Sequence, residues 1–237
     1  LFPPKQGAEL QNSLEIVNKI AASTPSYMSV TYGAGGSTVG YSAALAKKVE
    51  DNGMPALAHL TCVKADEAKL AEVLGQLQGF GVKNILALRG DIPADMQGEE
   101  IGSFAHASEL MRFVKQQGDF CVGGAAYPEG HPESGSLEKD IENTKYKVDA
   151  GVDFLVTQMF FDNTILYNYM FRLLRAGINV PVVPGIMPVT NAKQIIRICQ
   201  LSGTKLPPQF RAMGEKFADK PEALKKAGIA YANGQII

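Results

Sequence analysis

Short runs of apolar residues recur along the chain, and each run ends in a cluster of polar or small residues. The runs are "YMSVTYGAGG" at 27–36, "PALAHLTC" at 55–62, "NILALRGD" at 84–91, "FCVGGAAYPEGHPE" at 120–133, "DFLVTQMFFD" at 153–162 and "VPVVPGIMP" at 180–188. Apolar, partly β-branched runs that end in turn-forming residues are typical of buried strands. The pattern predicts six strands, with a weaker seventh at "GTKLP", 203–207.

The segments between these runs have the periodicity of amphipathic helices. Two of them show the spacing i, i+3/i+4, i+7 of one apolar face: Leu10, Leu14, Val17 and Ile20, and Leu70, Val73, Leu74 and Leu77. A further helix is predicted from about Leu137 to Ala150, and another over the final "KKAGIAYANGQII". Strands that alternate with helices at this period predict a parallel sheet with crossover helices.

Two architectures satisfy this alternation, an open doubly wound sheet and a closed (β/α)₈ barrel. Most of the predicted strands end in polar residues of their own: Thr31, Tyr32, His59, Thr61, Arg89, Asp91, Tyr127, Glu129 and Gln158. An open nucleotide-binding sheet instead concentrates its motif on the first βα turn. We therefore predict an α/β fold of the (β/α)₈ TIM-barrel class, with residues 1–237 as a single catalytic domain. Because a barrel needs eight strands, we expect this domain to be incomplete at both ends.

Composition and charge exclude several classes of partner. The chain has 23 basic and 24 acidic residues and a net charge of −1, so nothing concentrates positive potential for nucleic acid. No apolar run approaches the roughly 18 residues of a membrane span. Cys62, Cys121 and Cys199 lie far apart and form no C-x-x-C pair, which argues against a disulfide framework or a zinc site. These features favour a cytoplasmic protein with reduced thiols and without a bound metal.

The strand ends carry the candidate chemistry. In "ALRGD", Arg89 is suited to a phosphate or carbonyl oxygen, Gly90 to the approach of a flat ligand, and Asp91 to hydrogen bonds from a heterocycle. The alternative is an Arg–Asp pair that only closes a loop. His59 is by itself more typical of a core or rim residue, whereas the amide of Gln158 suits the edge of a pterin or pyrimidine.

The loop "AAYPEGHPESGS" and the helix after it hold a second group of polar residues. Its histidine and glutamates have no second His or Cys nearby in sequence, so a metal is not expected. The helix has an apolar face and a separate polar stripe of Asp140, Asn143 and Lys147. Such a stripe is usually a solvated face, and the residues alone do not decide between solvent and a ligand.

Seven motifs together resemble one family in order and spacing, the 5,10-methylenetetrahydrofolate reductases. They are "FPPK", "MSVTYGA", "HLTC", "ALRGD", "AAYPEGHPE", "KVDAGVDFLVTQMFFD" and "PGIMPVTN", and they run from Phe2 to about Asn191. Ser134 and Tyr146 depart from the pattern, since relatives often have alanine and a basic residue there.

The resemblance implies a (β/α)₈ barrel that carries FAD. The implied contacts to the flavin, its phosphates or its adenosine are Thr31, Tyr32, Ala34, His59, Arg89, Gly90, Asp91, Ala107, Tyr127, His131, Asp140, Asn143 and Lys147. The implied contacts to the folate are Asp91, Gln158 and Gln194, of which Asp91 and Gln158 are the expected catalytic residues. A glutamate that protonates N10 of the folate is expected just before Leu1.

The reaction implied by the resemblance belongs to one-carbon metabolism and methionine biosynthesis. NADH or NADPH reduces the flavin and leaves, and 5,10-methylenetetrahydrofolate is then reduced to 5-methyltetrahydrofolate on the same flavin face, which predicts ping-pong kinetics. Two alternatives stay open: a flavin-free barrel lyase or aldolase, and a flavin- or folate-binding subunit of a larger complex. The electron donor and the oligomeric state, homo-oligomer or complex with a donor subunit, are not predicted.

Overall fold

The computed structural model describes residues 1–4, 9–32, 39–63, 65–91, 102–217 and 219–236. The strands among these residues are β1 (Met28–Val30), β2 (Ala56–Thr61), β3 (Asn84–Leu88), β4 (Cys121–Ala126), β5 (Phe154–Thr157) and β6 (Val182–Val183). The helices are α1 (Leu10–Ala21), α2 (Val39–Asp51), α3 (Glu67–Gly79), α4 (Ala107–Gln117), α5 (Leu137–Asp149), α6 (Asn163–Arg175), α7 (Ala192–Ser202), α8 (Pro208–Lys216) and α9 (Pro221–Ile236). A short 3₁₀ turn covers Pro132–Ser134.

The chain forms two compact units, of which the first comprises Leu1–Gly124 and Lys147–Phe154. Strands β1 to β4 pair side by side in chain order, and every pair is parallel. Val30 lies opposite Ala58, and Leu60 lies opposite Ala87. The carboxyl ends of these strands therefore lie at one edge of the sheet, which is where parallel β/α proteins place their sites.

Leu1 extends this sheet on the outer side of β1. Its main-chain nitrogen donates to the carbonyl of Ser29 at 2.6 Å, and its own carbonyl accepts from the amide of Thr31 at 2.8 Å. Bonds to residues i−1 and i+1 of a neighbour are the pattern of a parallel strand pair. Leu1 is thus hydrogen-bonded to β1 as a residue of a parallel neighbouring strand would be.

The second unit comprises Ala125–Tyr146 and Leu155–Ile237. Strands β5 and β6 pair in parallel, with Leu155 opposite Val182, and the amide of Gln158 donates to the carbonyl of Ala126 at the end of β4. Helices α7 to α9 cover an apolar core that includes Phe161 of the segment after β5 and Phe210 of α8, whose rings lie 4.8 Å apart. Phe160 and Phe161 are each 1% exposed, so they are packing residues.

Side-chain caps explain where several helices begin. The carboxylates of Asp66 and Asp162 accept from the amides of Lys69 and Thr164, and the side chain of Asn191 accepts from the amide of Gln194. Such caps satisfy amides that have no partner inside the helix. The apolar face predicted for α3 is fully buried, whereas only Val17 of the face predicted for α1 is buried.

The structure confirms the parallel β/α order predicted for a barrel, with six strands among the described residues. The weaker seventh strand at 203–207 is wrong. This segment joins α7 to α8: Gly203 ends α7 in the left-handed region at φ +72°, and the amide of Lys205 donates to the carboxylate of Glu129. The amide of Lys205 thus donates to a side chain, that of Glu129, instead of to the main-chain carbonyl that a neighbouring strand would supply.

Cys62 and Cys199 are buried, Cys121 is partly buried, and all three are free thiols, as predicted. Within the described ranges, the structure contains no helix that is long and apolar enough to cross a membrane.

Candidate functional site

The first unit presents a group of residues at the carboxyl ends of its strands, here called the strand-end group. Its members are Thr31, Tyr32, His59, Thr61, Arg89, Gly90 and Asp91. Thr31 and Tyr32 directly follow β1, His59 and Thr61 lie in β2, and Arg89 begins the segment after β3. Because β1, β2 and β3 are parallel neighbours, the unit brings these predicted residues to one sheet edge.

His59 has a defined partner in the strand-end group. Its Nε2 lies 2.6 Å from the hydroxyl oxygen of Ser29 on β1. Burial lowers the pKa of His59 to about 4, so the ring is neutral near pH 7. A neutral imidazole that is fixed by a hydroxyl group keeps one ring nitrogen for a second, uncharged hydrogen bond.

Gly90 is a position that requires glycine. Its φ is +90°, and a Cβ built there would lie 3.2 Å from the Cβ of Thr61. The Arg89 Nε–H donates to the carbonyl of Gly90 at 3.3 Å, and the carbonyl of Arg89 accepts from the amide of Val63. The backbone at 89–90 is therefore held against the end of β2, with a guanidinium group beside it that suits a phosphate oxygen.

The second unit brings together a group that we call the Asp140 cluster: His131, Ser134, Asp140, Asn143 and Thr144. Oδ1 of Asp140 accepts from the hydroxyl of Ser134 at 2.9 Å and from the amide of His131 at 3.2 Å. The amide group of Asn143 donates to the hydroxyl oxygen of Ser134 at 3.3 Å. The hydroxyl of Thr144 donates to the carbonyl of Asp140. The alternative of a solvated polar stripe is wrong for Asp140, which is 3% exposed.

Asp140 retains an acceptor inside this cluster. Its Oδ2 is buried and has no hydrogen-bond partner among the residues that the structure describes. A buried carboxylate oxygen without a partner is costly, unless a ligand supplies the donor. Tyr169 of α6 is fully buried near Thr144, and burial raises the pKa of its hydroxyl to about 12, so this group stays protonated.

Tyr127 and His131 flank the loop that leads into the cluster. Their rings meet edge to face with centroids 4.6 Å apart. Nδ1 of His131 accepts from the amide of Glu133 at 3.1 Å. Because Nδ1 accepts this bond, Nε2–H is the hydrogen-bond donor of the His131 ring.

Glu129 fixes the same loop from its other side. Both carboxylate oxygens lie 3.2 Å from the amide of Lys205, and burial raises the pKa of this carboxyl group. Pro132 packs against Gly203, so the loop after β4 rests on the connection between α7 and α8. This support positions the segment that carries Tyr127 and His131.

Gln158 and Gln194 lie at two different element ends of the second unit. Oε1 of Gln158 accepts from the amide of Met159 at 2.9 Å, which leaves the NH₂ group as the donor of this side chain. Gln194 lies in the first turn of α7 and is exposed. The structure does not add a contact between these two amide side chains.

The remaining predicted residues have simpler positions. Asp91 is exposed beside Gly90, Ala107 is the first residue of α4, and Lys147 lies in the last turn of α5. Ala34 lies outside the described residues.

Ser29 and Thr144 were not predicted from the sequence, and Ser134 was named only as a departure from the family pattern. Ser29 had a signal, because it is a polar residue between the buried Met28 and Val30 and shares a face with Thr31. Thr144 had none, since a threonine in a helix interior does not reveal which carbonyl its hydroxyl will meet.

The Asp140 cluster of the second unit has groups that suit the nucleotide part of a flavin dinucleotide. The unpartnered Asp140 oxygen suits a ribose hydroxyl or adenine amino group, and Nε2–H of His131 suits a phosphate oxygen. No group of three His, Cys, Asp or Glu residues in the described part of the chain is placed to hold a metal ion.

The chain is similar to one family of known proteins over nearly its whole length. A family model described as "Methylenetetrahydrofolate reductase" matches residues 1–236. The 5,10-methylenetetrahydrofolate reductase of Pectobacterium carotovorum is 32% identical, over 98% of this chain and 76% of its own length. "Methylenetetrahydrofolate reductase (NADH) 1" of Arabidopsis thaliana is 35% identical, and this chain spans 41% of that protein.

A solved structure shares the fold at low sequence identity. It is a Clostridium thermocellum protein described as binding two copies of 5-methyl-5,6,7,8-tetrahydrofolic acid, with a TM-score of 0.67 and 11% identity over 99% of this chain and 79% of its own. At that identity the likeness concerns the fold. The family match over residues 1–236 and the identity to the bacterial enzyme show that this chain belongs to the methylenetetrahydrofolate reductase family.

Proposed function

We propose that the chain is a flavin-dependent oxidoreductase that reduces 5,10-methylenetetrahydrofolate to 5-methyltetrahydrofolate with NADH or NADPH through bound FAD. The observation that carries the proposal is the family match over residues 1–236. When bound, FAD supplies the two-electron chemistry that separates nicotinamide oxidation from folate reduction. The residues of the chain bind, orient and shield the reacting groups.

The Asp140 cluster supports the assignment of FAD. Asp140 and Asn143 are held on α5 by Ser134, and Asp140 has a buried oxygen that lacks a donor. A dinucleotide offers ribose hydroxyls and an adenine amino group as donors. In this proposal Asp140, Asn143 and His131 hold the nucleotide part of FAD.

The strand-end group supports a flavin at the barrel mouth. Gly90 lets the backbone pass close to Thr61 at the end of β2, and Arg89 beside it offers a cation to a phosphate oxygen. Thr31 and the neutral His59 add uncharged polar groups that suit hydrogen bonds to a heterocyclic ring.

Folate recognition is assigned to Asp91, Gln158 and Gln194. The NH₂ group of Gln158 is the donor of that side chain, because its oxygen already accepts from Met159. A pterin edge offers carbonyl and ring-nitrogen acceptors to such a donor. The exposed carboxylate of Asp91 would accept from the amino group of the same ring system.

Anaerobic titration tests the proposal in two steps. Purified protein is loaded with FAD, freed of unbound flavin and titrated with NADH or NADPH while the visible flavin absorbance is followed. We expect the absorbance to bleach, and then to return when 5,10-methylenetetrahydrofolate is added, with 5-methyltetrahydrofolate as product.

The alternatives give different results. A protein that holds no FAD after loading contradicts the proposal and favours a flavin-free barrel enzyme. Bound flavin that is bleached by dithionite but by neither nicotinamide contradicts the use of NADH or NADPH and indicates a separate donor subunit. Bleaching without reoxidation by the folate contradicts the proposed substrate.

A further inference from the structure

Ser134 occupies the centre of the Asp140 cluster. Its hydroxyl donates to Oδ1 of Asp140 at 2.9 Å and accepts from the amide group of Asn143 at 3.3 Å. One hydroxyl group therefore satisfies two side chains of α5 at once, with its single proton committed to the carboxylate.

The bridge fixes the orientation of both partners. Asp140 is 3% exposed, and the bonds from Ser134 and from the amide of His131 hold Oδ1, which leaves Oδ2 as the acceptor without a partner. For Asn143, donation to Ser134 determines which end of its amide faces the cluster. A group whose rotamer is already fixed loses less entropy when it binds a ligand.

We propose that Ser134 is a positioning residue for FAD: its hydroxyl orders Asp140 and Asn143 before the dinucleotide binds, and it acts on FAD affinity through these two side chains. This inference rests on the proposed function. It assigns to Ser134 a role in cofactor affinity that alanine at the same position cannot have, since alanine has no hydroxyl group.

The 3₁₀ turn provides the rigid base that this role requires. Ser134 is its last residue, and the amide of Ser134 donates to the carbonyl of His131 at 2.9 Å. His131 therefore has two roles: its carbonyl holds the backbone of Ser134, and its amide donates to Asp140. The side chain of Ser134 reaches α5 from this fixed backbone.

The test is the dissociation constant of FAD, measured by equilibrium dialysis. Ser134→Ala is expected to raise the Kd about 3- to 10-fold, the effect of losing one or two net hydrogen bonds. Ser134→Thr keeps the hydroxyl and is expected to restore the wild-type Kd to within about 2-fold.

Ser136→Ala is the matched control. The hydroxyl oxygen of Ser136 accepts from the amide of Lys139 at 3.2 Å, so this variant weakens the start of α5 without removing a bond to Asp140 or Asn143. If Ser134 only stabilised the loop, the two alanine variants would raise the Kd equally. We expect Ser136→Ala to lower thermal stability and leave the Kd of FAD unchanged.

A double-mutant cycle separates action through Asp140 from any other effect. In an Asp140→Ala background, Ser134→Ala is expected to raise the Kd by a smaller factor than in the wild type, because of the two side chains that Ser134 orders only Asn143 remains. An equal effect in both backgrounds overturns the inference, as does an unchanged Kd in Ser134→Ala. Wild-type protein that binds no FAD overturns the proposed function, and this inference with it.

Discussion

Nε2 of His59 lies 2.6 Å from the hydroxyl oxygen of Ser29, across the pair of strands β1 and β2. Ser29 is opposite Leu57 in the register, so His59 reaches it from two positions further along β2. Neighbouring parallel strands bring residues of the same face into such diagonal contact. The contact joins two strands at the edge where the candidate site lies.

Replacement of His59 by glutamine should remove an acid-sensitive contribution to stability. The folded pKa of His59 is about 4 and its ordinary value is 6.5, so between these values the unfolded chain takes up a proton that the folded chain refuses. As pH falls from 6.5 to 4, this group lowers the free energy of unfolding by up to roughly 1.4 kcal/mol per pH unit. Above pH 6.5 it has no effect on the pH dependence.

Urea unfolding of wild type and His59→Gln at several pH values measures this contribution. The wild type should lose more stability than the variant between pH 6.5 and 4, and the two curves should run parallel above pH 7. Parallel curves over the whole range would show that the ring takes up its proton as readily in the folded protein as in the unfolded one.

Asp91→Asn should separate the two half-reactions. The side chain is exposed beside Gly90, so its loss of charge should leave the fold and FAD content unchanged. We expect folate reduction to slow by about 10-fold or more, and nicotinamide oxidation much less, because one charge-assisted hydrogen bond to the pterin is lost. Stopped-flow measurement of each half-reaction is the check, and equal slowing of both would contradict a folate-specific role.

Gln158→Glu gives a sharper test of folate binding than truncation. Glutamate keeps the oxygen that accepts from the amide of Met159 and replaces only the NH₂ donor. The Kd of the folate should rise about 10-fold, since a donor to the pterin becomes an acceptor. Gln194→Glu makes the same change on α7 and serves as a comparison. A Gln158→Glu protein with normal folate affinity would contradict a role for Gln158 in folate binding.

The strands and the principal helices were predictable because their signals are local. The apolar runs around Val30, Leu60 and Leu86 are long enough to be buried, and α3 shows its apolar face directly in the sequence. The segment 203–207 was not predictable for the opposite reason. Its backbone partner is the side chain of Glu129, 76 positions away from Lys205, and no local pattern reports such a bond.

The residue types of the candidate site were predictable from the sequence, but most of the hydrogen bonds between these residues were not. The motifs identified Asp140 and Asn143, but they did not reveal that Ser134 joins them or that Asp140 is buried with one oxygen unpartnered. Those properties depend on how the 3₁₀ turn packs on α5. Which side chains a polar cluster contains follows from sequence, whereas which atoms remain available follows only from packing.

Two glycines of α9 should respond to alanine in opposite directions. A Cβ on Gly228 would overlap the carbonyl oxygen of Val189, whereas a Cβ on Gly234 would meet nothing within 4 Å. Gly228→Ala must therefore displace either α9 or the segment after β6, at a cost of roughly 2–3 kcal/mol. Gly234→Ala gains helix propensity and should be neutral or stabilising by up to about 1 kcal/mol. Chemical denaturation of both variants measures the difference, and a Gly228→Ala protein as stable as wild type would mean that α9 does not pack closely on Val189.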